Sequence, residues 1–159
     1  MCTFFVGEII MDLKYMNLAF QQAEKAFQQN EVPIGAILVK NDRIIAKSYN
    51  KKEKKCCCLE HAELILIKKA SKKLKNWRLD GCELYVTLDP CPMCASAIKQ
   101  ARISTVYSAC TNSDEKNIKI ISEIFSSDKT NSEVKFVTNL AENESKMLLN
   151  RFFRLKRQK

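Results

Sequence analysis

The 159-residue chain has one histidine, three glycines and three prolines. No apolar run approaches the length of a membrane span. No internal repeat or low-complexity linker divides it, which predicts one domain with a real core. No basic residue precedes Lys14, and Glu8 interrupts the apolar opening, so nothing there reads as an export signal. Without such a signal the eight cysteines predict core residues or metal ligands in a reducing cytoplasm, not disulfides. Residues 1–12 read as an N-terminal extension, with Met11 a candidate start, and residues 13–159 as the domain. What the chain has in excess is positive charge: +9 net, with a pI of about 9.2. That predicts an anionic partner, nucleic acid foremost; the plainer alternative is a solvated basic surface.

Hydrophobic spacing predicts the elements. Leu18, Ala19, Ala23, Ala26 and Phe27 make a helical stripe within residues 13–29, ended by Pro33. "IGAILV" and "RIIAKS" around "KND" read as a hairpin. Residues 47–55 read as irregular and basic. A helix is expected over 61–74, a strand over 83–88, a short helix over 92–100 and a strand over 104–109. A short helix at 118–125, a strand at 133–138 and a last helix capped by Asn139 complete the order. It predicts a three-layer α/β domain with a five-stranded mixed sheet covered by helices.

The lone imidazole, His61, sits two residues before Glu63. Thirty positions after it comes "PCPMC", carrying Cys91 and Cys94 at i and i+3. Thiolate and imidazole suit zinc, and a catalytic zinc takes three protein ligands and keeps one position open. The start of a helix favours thiolates, and the two helix starts are expected to meet if they follow adjacent strands. A carboxylate beside the metal can carry a proton. Zinc lowers the pKa of bound water from about 15.7 to about 7, roughly 12 kcal/mol at about 1.36 kcal/mol per unit. A redox pair or a structural zinc with a fourth ligand from Cys56, Cys57 or Cys58 is the alternative.

H-x-E with P-C-x-x-C is the signature of zinc nucleobase deaminases. With "NEVPIGAILV", Asn50, "NWRL", "LYVTLDPCPMCASAI", "ARI" and "FFRLKRQ", the chain resembles the bacterial tRNA-specific adenosine deaminases of the cytidine/deoxycytidylate deaminase superfamily. The resemblance implies a cytidine-deaminase-like fold and a homodimer. It implies conversion of the wobble adenosine, position 34 of a tRNA anticodon, to inosine. By the same resemblance His61, Cys91 and Cys94 hold one zinc per subunit, and Glu63 shuttles protons. Asn50 and the Ala62 amide hold the flipped nucleotide, and Phe153 and Arg157 lie against the anticodon stem-loop.

Cys57-Cys58-Leu59 stands where the family has Asp-Pro-Thr, and "SACTNSDEKNIK" replaces a glycine-containing RNA-contacting loop. The family contacts therefore do not carry over to Asn112 or Asp114. Asp89 replaces the commoner Glu, and Ser96 a glycine. The cysteine run is inert, a second thiol site or an oxidation liability. "RFFRLKRQK" mixes aromatics with bases, as RNA contact requires; alternatively it buries Phe152 and leaves its charges in water. A small-molecule deaminase acting on guanine, cytosine or CMP, and a non-catalytic tRNA-binding subunit with structural zinc, are the competing functions.

Overall fold

The computed structural model describes residues 2–111, 114–127 and 133–158, with side chains from residue 12 onward. Eleven elements follow in order: α1 (Cys2–Gln28), β1 (Gly35–Lys40), β2 (Arg43–Tyr49), α2 (Lys52–Lys55), α3 (Ala62–Leu74), β3 (Cys82–Val86), α4 (Pro92–Gln100), β4 (Thr105–Ser108), α5 (Glu115–Ser126), β5 (Lys135–Val137) and α6 (Glu142–Arg157). The sheet order is β2-β1-β3-β4-β5. β1 pairs antiparallel with β2 and β3, while β3–β4 and β4–β5 are parallel. The sheet is five-stranded and mixed, as expected.

Successive β1 side chains go to opposite faces. Ala36 and Leu38 join the core under α3, α4 and α5, with Leu66, Ala70, Ile98 and Ile121. Ile37 and Val39 join the core under α1, with Tyr15, Met16 and Ala19. A strand buried on both faces has no polar alternation, which is why "IGAILV" is apolar throughout. Gly35 sits where β1 meets α1. A Cβ there would lie 2.1 Å from the Ala19 carbonyl oxygen and 2.4 Å from the Ala23 nitrogen. No described helix is long and apolar enough to cross a membrane.

Several boundaries differ from those predicted. α1 begins at Cys2 rather than Leu13; Phe5, Val6, Ile9 and Ile10 continue the helical spacing and no proline stops it. Residues 47–49 belong to β2, and 52–55 form a helical turn instead of an irregular stretch. Lys51 gives that turn no side-chain cap. The acceptors come from Glu31, which takes Glu53 N at 3.1 Å and Lys54 N at 2.7 Å. α5 starts three residues early because Asp114 caps it, accepting from Lys116 N. Asn139 does not cap α6. Its backbone is left-handed, and its Oδ1 accepts from the Thr111 amide and hydroxyl. The N-cap is Ala141.

Candidate active site

Two helix starts face one another. His61 is the N-cap of α3 and Cys91 the N-cap of α4, each in extended backbone with no side-chain cap bond. Pro92 opens α4, where its missing N–H costs nothing. Cys94 follows on the first turn, on the same side as Cys91. His61 Nδ1 lies 3.8 Å from Cys91 Sγ and 3.6 Å from Cys94 Sγ, and all three donor atoms fall within 4.8 Å of one another. The strands that lead into these helices are not adjacent. α3 follows β2 and α4 follows β3, and β1 lies between them. Strands two apart are about 9.6 Å apart, and packed helices need about 8–10 Å. Adjacent strands would crowd the helices.

This soft N/S donor set fits a zinc-type ion. Among the described residues no other His, Cys, Asp or Glu joins the group. Cys56, Cys57 and Cys58 lie outside the group, so they supply no fourth ligand. Cys94 donates to Cys91, and the Cys94 and Met93 amides with His61 add to this. Together they hold the Cys91 thiol at about 5 against the upward push of burial. Cys94 is pushed up by that same bond to Cys91, by burial and by Glu63. A divalent ion held here would favour the thiolate form of both cysteines. Glu63, on the first turn of α3, is 4% exposed. Burial raises its carboxyl to about 7; a backbone hydrogen bond and His61 oppose the rise.

The other anticipated residues divide. Ala62 is fully buried at the first position of α3, and its carbonyl accepts from Ser48 Oγ at 2.6 Å. Asn50 is buried directly after β2. The amide of its neighbour Lys51 donates to the Glu60 carbonyl, one residue before His61. Phe153 and Arg157 share a face of α6, Arg157 Nε donating to the Phe153 carbonyl. Phe153 is 45% exposed, whereas Phe152 is buried against Phe27. The helix buries Phe152 and leaves Phe153 and its basic residues exposed. Ser145 ties α6 to the residue just after β3 by donating to the Thr87 carbonyl. Asn112 lies outside the described residues, and Asp114 is spent as a cap.

Glu31 had no assigned role in the sequence. It is fully buried, and besides capping α2 it accepts from Asn50 Nδ2 at 3.4 Å. A carboxylate and the Val32 carbonyl, at 3.5 Å, can only accept. They therefore turn the NH₂ end of Asn50 inward. A carboxylate set between Asn30 and the apolar "VPIGAILV" was the available signal.

A family model for MafB19-like deaminases matches residues 10–157. The tRNA-specific adenosine deaminase of Bacillus subtilis is 38% identical over 148 residues, covering 93% of this chain and 92% of its own. The chain belongs to the tRNA-specific adenosine deaminase family. A solved structure from work on A-to-I editing by tRNA:A34 deaminases superposes with a TM-score of 0.79 at 37% identity, over 86% of this chain and 99% of that one. The guanine deaminase of Nitrosomonas europaea shares the fold, with a TM-score of 0.72 at 20% identity, over 87% and 82% of the two chains. The cytidine-deaminase-like architecture is therefore that of the family.

Proposed function

We propose that this protein hydrolyses the wobble adenosine, position 34 of a tRNA anticodon, to inosine, releasing ammonia. The observation that carries the reading is a buried carboxyl, Glu63, poised at about 7 beside a three-donor cluster with no fourth described protein ligand. The curated B. subtilis relative, matched over 92% of its length, directs that chemistry to tRNA adenosine.

His61, Cys91 and Cys94 would hold one zinc ion. Zinc there would supply a Lewis acid and would lower the pKa of water from about 15.7 to about 7. Glu63 takes a proton from the attacking water and places it on adenine N1 as C6 is attacked. It then carries the proton of the new C6 hydroxyl to the amino group, which leaves as ammonia as the C6 carbonyl forms. Burial suits the first task, because it raises the carboxyl's affinity for a proton. Asn50 and the Ala62 amide hold the flipped nucleotide. Phe153, exposed on α6, stacks on a base of the anticodon loop, and Arg157 meets its backbone. Loop bases are already unpaired and cost little to extrude. The enzyme works as a homodimer in the cytoplasm, where tRNA is found and thiols stay reduced.

The test is incubation with a tRNA bearing A34, followed by inosine detection. Free adenosine, guanine, cytidine and CMP serve as controls. Inosine should appear at position 34 alone. Turnover of a free base, nucleoside or nucleotide with none on tRNA would reject the reading.

A further inference from the structure

We infer that the cationic rim around Tyr49 is a second RNA-contact surface, taking the phosphate backbone that runs away from the target nucleotide. It is built from Lys47 of β2, Lys51 and Lys54 of the next turn, and Lys69 of α3. This rests on the tRNA reading above.

The rim draws on separate segments. Lys51 Nζ sits 4.7 Å from the Tyr49 ring centroid. The Tyr49 hydroxyl accepts from Gln29 Nε2 at 2.9 Å, and Gln29 Oε1 accepts from Lys54 Nζ at 3.1 Å. Lys69 reaches across from α3 and donates to the Lys47 carbonyl at 2.8 Å. Among the described residues the ion pairs are Arg78–Asp80 and Lys146–Glu142, and neither touches this rim. Glu31, whose oxygens accept from the Glu53 and Lys54 amides, is turned inward. The charges are close enough to act on one another. Burial first, and then Lys51 and Lys25, lower the Lys69 pKa. A bound polyanion would relieve that repulsion.

A plainer role accounts for part of it. β2 is an edge strand, and edge lysines discourage pairing with another chain. That explains Lys47, which lies on the edge. It does not explain Lys54 and Lys69, which reach the rim from other elements. The rim borders the site along the chain, because Asn50, buried under it, stands between Tyr49 and Lys51. A nucleotide held at Asn50 would therefore send its neighbouring phosphates over these ammonium groups.

The test compares wild type with the double variant Lys54→Ala/Lys69→Ala. An A34 anticodon stem-loop RNA is titrated by fluorescence anisotropy across potassium chloride concentrations. Each lost phosphate contact removes about 0.7–0.9 from the slope of log affinity against log salt, so the slope should flatten by about 1.5. The turnover loss should fall in KM, and Lys54→Arg/Lys69→Arg should restore both. An unchanged slope overturns the surface, as does self-association of the variant with RNA binding intact. A flattened slope in an enzyme that makes no inosine would leave the surface standing and reject the substrate. Inosine formation with an unaltered slope would do the reverse.

Discussion

Glu63 and Glu31 are two buried carboxyls in opposite surroundings. Glu63 is raised to about 7 by burial, which suits a proton carrier. Glu31 is surrounded by N–H donors, which suits a fixed acceptor. Replacing Glu63 with Ala should lower deamination by about 10²–10⁴-fold while bound metal, measured by atomic absorption, stays stoichiometric. Unchanged turnover would remove it from the mechanism. Replacing Glu31 with Gln turns an acceptor into a donor facing amides, and should cost about 1–3 kcal/mol in urea unfolding. Its effect on kcat/KM should also largely vanish in an Asn50→Ala background, since it acts through that amide. Additive losses would show instead that Glu31 supports the fold and nothing more.

At the scale of elements, close approach and facing matter most. The Gly35–Ala19 contact lets the backbones of β1 and α1 touch, with backbone atoms on both sides that cannot swing away. Gly35→Ala should therefore lose about 1–3 kcal/mol by overpacking, read as a lower denaturation midpoint. α6 separates two neighbouring rings. Phe152 packs edge-on to Phe27, with centroids 5.9 Å apart, while Phe153 faces outward. Phe152→Ala should cost about 3–5 kcal/mol of stability. Phe153→Ala should leave the melting temperature alone and raise KM for the stem-loop. If Phe153→Ala melts early and binds normally, the RNA role of that face fails.

Across the whole molecule, the donor cluster joins two helix starts that belong to distant stretches of chain. An ion held there binds the folded state only, and stabilises by about 4 kcal/mol at a thousandfold excess over its Kd. For a chain of this size that is on the order of 10 °C or slightly more in Tm. A chelator should lower the melting temperature by that order and abolish turnover, and added zinc should restore both. A melting curve indifferent to chelation would mean that His61, Cys91 and Cys94 carry no structural link.

The chain itself determined the donor set and most of the element order. The one imidazole and the P-C-x-x-C run are chemically scarce, and runs such as "IGAILV" have a single comfortable place in a sheet covered on both faces. Local chemistry also fixed the α4 start, because Pro92 can open a helix but not continue one. What needed the tertiary structure was every feature whose partner lies far along the chain. The α2 turn forms because Glu31 caps it from 22 and 23 residues away, and Asn139 leaves α6 uncapped because Thr111 claims its side chain. The placement of β1 between β2 and β3 is of the same kind: it is set by the width of two helices packed side by side. No local pattern encodes that distance.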